Sequence, residues 1–203
     1  MTVKTNGHTA QGIQILDNGA WNWDTSIEDH SCNVDSGFLD YLIEFSKANN
    51  QKLIMDFGCA TGYFLKYISD RLTDVELIGV EAAASKKSNL HFSNIVDHDL
   101  AIPFNLDKKG LVMSIEVMEH IPPQFESIAV DNLIKHCDEY LFLTWAPVGQ
   151  GGWGHFNEKN MSDVLKLFEE RGFIVLANES AEARVRSKIS WIQRNLVIFK
   201  KVK

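Results

Sequence analysis

The stretch that decides the fold is Lys52-Leu53-Ile54-Met55-Asp56-Phe57-Gly58-Cys59-Ala60-Thr61-Gly62-Tyr63. Residues 52–57 are a short apolar run ending at glycine, the pattern of a strand buried on both faces of a parallel sheet. Gly58 and Gly62 allow a ligand to approach the backbone closely. The helix expected over 63–72, with Phe64, Leu65 and Ile68 on its apolar face, starts with free N–H groups at that turn. The turn is not the dinucleotide-binding fingerprint. With Gly58 as its first glycine, the second position is Ala60 and the third is Tyr63, whose ring obstructs close helix–strand packing. No Gly-Lys-Ser/Thr follows, so it is not a P-loop either.

Outward from this turn, strand and helix signals alternate. Residues 75–80 (VELIGV) read as a second strand ending at Glu81, where a carboxylate can accept both hydroxyls of a ribose. The distance from Gly62 to Glu81 suits a strand–helix–strand unit. Further strands are expected at 92–96, 111–115, 140–145, 173–177 and 196–199. Helices are expected at 125–136 and 159–171, the latter stopped by Gly172. Upstream, Phe38, Leu39, Leu42, Ile43 and Phe45 form a helical face, with Asp35 or Ser36 as its N-cap. Such alternation implies an α/β fold, a parallel sheet with helices on both faces, and ligands bind beyond the carboxyl ends of its strands.

Composition bounds the rest. The 203 residues suit one domain with small additions. Cys32, Cys59 and Cys137 are an odd set with no CxxC spacing, which points to a reducing, cytoplasmic setting rather than a disulfide framework. No apolar run is long enough to span a membrane, and residues 1–12 lack the apolar core of a signal peptide. The net charge of −7 argues against a general nucleic-acid binder. The charge is uneven: residues 182–203 carry a net +6, so the remainder carries −13. This basic run is either a solvated face or a patch beside an anionic acceptor.

Two more strand ends carry motifs: His98-Asp99-Leu100-Ala101-Ile102-Pro103-Phe104 and Ser114-Ile115-Glu116-Val117-Met118-Glu119-His120-Ile121-Pro122. With MDFGCATG at 55–62 and Glu81, they occur in the order of the motifs LDLGCGTG, HDLTEPF and SLEVLEHIP. Over about residues 50–200 the chain thus resembles the class I S-adenosylmethionine-dependent methyltransferases. The resemblance implies a Rossmann-like, seven-stranded, mostly parallel sheet with its last strand antiparallel. It also implies S-adenosylmethionine as cofactor. Asp56, Gly58, Cys59, Ala60 and Gly62 would line its methionine and sulfonium part, and Glu81 would hold the ribose. Asp99 would bond the adenine amino group with Leu100 beside the ring, and Glu116 would stand near the sulfonium. Ala60 replaces the family's central glycine. A sulfonium without phosphate suits acidic strand ends better than a phosphate cradle does.

Residues 145–157 (WAPVGQGGWGHFN) resemble a pattern from a branch of small methyltransferases. There Gln150, Trp153 and His155 would form a substrate wall, and His120 and His155 are the candidates for general base. Trp21 and Trp23 either stack on a substrate ring or plug the sheet edge. Arg184 and Arg186 suit a phosphate or carboxylate on the acceptor. Glu116, Glu119, His120 and His155 also have the ligand types of a carboxylate–imidazole metal site. Small-RNA 2′-O-methyltransferases use such a set, but EVxEH is frequent in members that bind no metal, so catalysis without a metal is the expectation. The chain is then expected to be a monomeric or homodimeric enzyme, with residues 1–50 covering the substrate and 51–203 binding the cofactor. It would methylate an oxygen or nitrogen of a small or mid-sized acceptor. The alternatives are a metal-assisted RNA 2′-O-methyltransferase and a catalytically silent partner subunit.

Overall fold

The computed structural model describes residues 14–22, 34–82, 84 and 90–202; Trp23 and Cys32 lie outside them. A short antiparallel hairpin, β1 (Gln14–Ile15) and β2 (Trp21–Asn22), precedes helix α1 (Ser36–Ala48). The main sheet comprises β3 (Leu53–Phe57), β4 (Glu76–Glu81), β5 (Ile95–Asp97), β6 (Gly110–Ser114), β7 (Cys137–Leu143), β8 (Phe173–Val175) and β9 (Val197–Lys201). The helices that follow α1 are α2 (Tyr63–Ser69), α3 (Glu126–His136), α4 (Met161–Glu169), α5 (Ala177–Arg186) and α6 (Ser190–Asn195).

The sheet order is β5-β4-β3-β6-β7-β9-β8. Neighbours from β5 to β7 pair in parallel, and β9 runs antiparallel to both β7 and β8. The seven-stranded, mostly parallel sheet with an antiparallel last strand is therefore present. Every residue of β3 is buried because both sheet faces are covered. Leu53, Met55 and Phe57 pack with Leu133, Val164 and Phe168 on one face, while Ile54 packs with Phe38, Leu42, Leu65 and Ile198 on the other. This is the period-two alternation of a strand.

Two elements differ from the sequence reading. The stretch 178–195, which the sequence reading leaves as a connection between the last two strands, forms α6 and all of α5 but its first residue, Ala177, which was read as strand. In α5 only Ser180 and Ala183 are buried, so there is no apolar stripe to read. Strand β7 starts at Cys137, directly after α3, without an intervening turn.

The N-terminal helix is fastened to α5 and α6 through one buried carboxylate. Asp35 caps α1 by accepting from the Phe38 N–H at 3.0 Å. It also accepts from the Lys188 and Ile189 N–H groups at 3.0 and 3.1 Å and from the Ser187 hydroxyl. Asp35→Ala strands these donors in the interior. The expected loss is about 3 kcal/mol, read as a lower urea midpoint, with Asp35→Asn falling between the two.

Candidate active site

β4 and β6 flank β3 on opposite sides, so the chain leaves β3 at a topological switch point, where a crevice opens beyond the strand ends. A cavity of about 260 Å³ occupies it. Its wall includes Asp56, Gly58, Cys59, Ala60, Glu81, Asp99, Leu100, Glu116 and His120, drawn from the ends of β3, β4, β5 and β6. No lysine or arginine is among the described residues that line it.

The turn after β3 is held open by its neighbour strand. Gly58 donates to the Val80 carbonyl at 2.8 Å, and the Ala60 N–H donates to Glu81 Oε2 at 2.8 Å. Gly58 has φ +82°, and a Cβ there would come within 2.5 Å of Val117, so only glycine fits. Ala60 is also left-handed, at φ +50°. The family's glycine is the relaxed residue for that conformation, and alanine carries about 1 kcal/mol of strain. Glu116 is left-handed too, at φ +56°, which turns its side chain off the end of β6 toward the cavity. Gly62 lies off the wall; it begins α2 in a left-handed conformation.

Burial has electrostatic consequences. Desolvation, with the Glu81 charge added, pushes the Asp56 carboxyl up to about 8. Glu119 is fully buried behind the wall, and desolvation together with Glu116 raises its carboxyl well above the ordinary range. The Glu119 and Ala146 backbone N–H groups and the Glu116 carboxyl lie next to that carboxyl without ideal hydrogen-bond geometry. Desolvation, with His155 nearby, lowers the His120 imidazole far below its usual value, so the ring is neutral. Asp99 Oδ1 accepts from the Ala101 N–H at 2.8 Å, and its Oδ2 accepts from Asn18 of the hairpin turn.

Two segments close the crevice. In the hairpin, Gly19, Ala20 and Trp21 line the cavity, and the Trp21 ring stands edge-on to His120, centroids 5.2 Å apart. In the glycine-rich loop, Phe156 and Asn157 each donate to the Glu119 carbonyl at 2.9 Å. Gly154, at φ +69°, lies against Ile15 and presents its carbonyl to His120 Nδ1 at 3.2 Å. Glu158 gathers the loop, accepting from the Gly149 and Gly151 N–H groups at 2.7 and 2.6 Å and facing His155 Nδ1 at 3.2 Å. Burial raises the Glu158 carboxyl, but these donors outweigh it and hold it below the ordinary range.

The remaining sequence candidates fall into place as follows. His155 lies beside His120, ring centroids 4.9 Å apart, one layer behind the wall. Gln150 also stands behind the wall, bridging Asn195 (2.9 Å) and Glu116 (3.4 Å). Trp153 is exposed and does not line the cavity. Arg184 and Arg186 do not reach it either. Arg184 Nε donates to the Leu196 carbonyl at 2.6 Å, and Arg186 is paired with Glu44 and Glu182 at 2.6 and 2.7 Å against Tyr41. Arg184 is taken up by the C-terminal end of α6 and Arg186 by the α1–α5 packing, which the basic run could not reveal. Sequence reasoning missed Ile189, Trp191 and Ile192, which wall the cavity from α6 and its approach. The available signal was their apolar character inside a basic stretch. It also missed Glu158, whose signal was an acid three residues after His155.

A family model for a methyltransferase domain matches residues 33–141, more than half of the chain. The chain belongs to that family: it is a class I S-adenosylmethionine-dependent methyltransferase. The cavity suits S-adenosylmethionine. Among the described residues its wall is acidic and carries no lysine or arginine, and the glycine at 58 leaves room where a side chain would intrude. No curated protein matches the chain. Among solved structures it is similar to magnesium protoporphyrin IX methyltransferase ChlM from Synechocystis PCC 6803 with bound SAM, at 18% identity and TM-score 0.55, covering 81% of this chain and 77% of that one. It is similar to the plantazolicin methyltransferase BpumL in complex with a monoazolic desmethylPZN analogue and SAH, at 12% identity and TM-score 0.57, covering 83% and 84%. It is also similar to the methyltransferase domain of bacterial CtHen1-C, at 14% identity and TM-score 0.56, covering 81% and 97%. These likenesses share the fold. Among the described residues no helix is long and apolar enough to cross a membrane.

Two outcomes follow from the wall. Ala60→Gly should raise the melting temperature by about 2–4 °C by relieving the left-handed strain. Asp56 holds a proton in the folded chain that the unfolded chain, with a carboxyl near 3.8, releases. Ligand-free stability should therefore fall as pH rises from about 4 to 8 and level off above. Asp56→Asn should reduce that slope, leaving the part that Glu119, also raised by burial, contributes, measured as denaturant midpoints across the range.

Proposed function

We propose that the chain transfers the methyl group of S-adenosylmethionine to an oxygen or nitrogen on a small or mid-sized acceptor with an apolar or aromatic body. The supporting observation is how the cavity wall divides. Asp56, Glu81, Asp99 and Glu116 make one side acidic, while Trp21, Ile121, Ile189, Trp191 and Ile192 make the other apolar. The absence of lysine and arginine among the described lining residues moves the reading away from the phosphate- or carboxylate-bearing acceptor that the basic run suggested. An apolar wall with two indoles also suits a small ring better than a polyanionic RNA end.

When bound, S-adenosylmethionine supplies an electrophilic methyl on a sulfonium. The residues of this chain contribute mainly by placement. In this reading Glu81 holds the ribose and Asp99 the adenine amino group, displacing Asn18. Asp56 and Glu116 bring negative charge to the sulfonium end. His120 faces the cavity as a neutral ring that offers a lone pair where the nucleophile must stand. Trp21 and Trp191 orient the acceptor and exclude water.

Calorimetry with S-adenosylhomocysteine tests the cofactor half. The chain should bind it and not NAD, and Glu81→Ala should weaken binding by about 1–3 kcal/mol. A labelled-methyl transfer screen against fractionated cell extract tests the acceptor half. Activity should concentrate in apolar or aromatic small-molecule fractions, and Trp191→Ala should raise the KM of the active fraction. Arg184→Gln with Arg186→Gln should lower the melting temperature and leave that KM unchanged; a raised KM would restore the anionic acceptor.

A further inference from the structure

Between β5 and β6 the chain at 98–109 forms neither helix nor strand, so its buried backbone groups need partners from elsewhere. Two side chains of α3 supply them. Asn132 Nδ2 donates to the Leu100 carbonyl at 3.1 Å and to the Ile102 carbonyl at 2.9 Å, and Asn132 Oδ1 accepts from the Phe104 N–H at 2.8 Å. One turn further along α3, His136 Nε2 accepts from the Leu106 N–H at 3.0 Å. The Asn132 carbonyl, 2.7 Å from His136 Nδ1, can only accept, so Nδ1 carries the proton and Nε2 keeps the lone pair that Leu106 needs. The bonds fall on alternate residues, 100, 102, 104 and 106, as they do along one edge of a strand. Both side chains are buried, which is costly unless their polar atoms are bonded, and here those bonds hold this segment. The segment begins with Asp99 and Leu100, which form part of the cavity wall, whereas no residue of α3 lines the cavity. Asp99 Oδ1 is spent on the Ala101 N–H, and Oδ2 meets the exchangeable donor Asn18.

We infer that Asn132, supported by His136, is a positioning residue for recognition of the cofactor's base: it fixes Asp99 and Leu100 so that the wall selects a 6-amino purine over a 6-oxo purine. This role rests on the reading of Asp99 as the contact to the adenine amino group. An ionised carboxylate offers only acceptors, so it favours an amino group and opposes a carbonyl oxygen. That discrimination lasts only while the carboxylate is held in place. The demand on residue 132 is narrow. Leucine fills the space of asparagine but has no polar atom, and aspartate keeps the acceptor for Phe104 but lacks both donors for Leu100 and Ile102.

The test is calorimetric titration of the full chain with S-adenosylhomocysteine and with S-inosylhomocysteine, which carries a 6-oxo group in place of the amino group. The wild type should favour the adenine compound by about tenfold or more. Asp99→Asn, whose amide can donate to a carbonyl, should bring that ratio close to even. Asn132→Leu and Asn132→Asp should each lower the ratio by about threefold or more, chiefly by weakening the adenine compound. His136→Gln, which keeps an acceptor for the Leu106 N–H, should lower it less than His136→Leu. Asp35→Ala, destabilised on the other face of the sheet, should leave the ratio unchanged. If the Asn132 variants fail to fold, the two His136 variants are read for the same ratio. Variants that weaken both compounds equally while lowering the melting temperature make the clamp merely structural and overturn the proposal. A wild type that binds both compounds alike also overturns it and leaves cofactor binding standing. A wild type that binds neither sinks the cofactor reading, and the role of Asn132 with it.

Discussion

The rest of the structure depends on a set of carboxyl groups gathered in a crevice that no lysine or arginine lines among the described residues. Asp56, Glu81, Asp99 and Glu116 converge from different strands onto one cavity, and Glu119 is buried just behind. Carboxyl groups in such surroundings either take up protons or wait for a cation. Asp56 does the former in the ligand-free chain. Glu81 and Asp99 instead find N–H donors in the Ala60 turn, at Ala101 and on Asn18. In the proposed reading, a nucleoside whose reactive end is a sulfonium brings positive charge to this acidic wall, where a nucleotide phosphate would be repelled.

Placing those carboxyls requires backbone in unusual conformations. Gly58, Ala60 and Glu116 all have positive φ at the ends of β3 and β6. The register of these neighbouring strands over-determines the conformation: Ile54, Met55 and Asp56 pair with Leu111, Val112 and Met113. Strain of this kind persists where surrounding structure forces it, and it concentrates at sites. The covering segments are attached by polar contacts instead, Asn18 to Asp99 and the Gly154 carbonyl to His120. Such contacts can exchange for ligand contacts without disturbing the core.

Much of this was legible in the chain. Within the apolar run 52–57 and the VELIGV run, residues 53–57 and 77–80 are buried, so composition alone marks them as sheet centre. The glycines and acids that follow mark the strand ends. Residues 177–195 were not legible, because α5 is anchored by small and polar residues against α1 and by Asp35, which is distant in sequence. The basic run misled for the same reason: Arg186 answers Glu44, and no local pattern announces a partner 142 residues away.

The sequence by itself determined the sheet, the cofactor class and the strand-end acids, because burial period and turn chemistry are local properties of the chain. Tertiary structure alone decided which polar groups meet. It set Glu158 behind His155 and Gly154 beside His120, and buried Glu119 next to Glu116. It also turned Trp191 into the cavity and Arg184 away from it. Those outcomes depend on distances between segments that are remote along the chain, and such distances exist only once the sheet has brought its strand ends together.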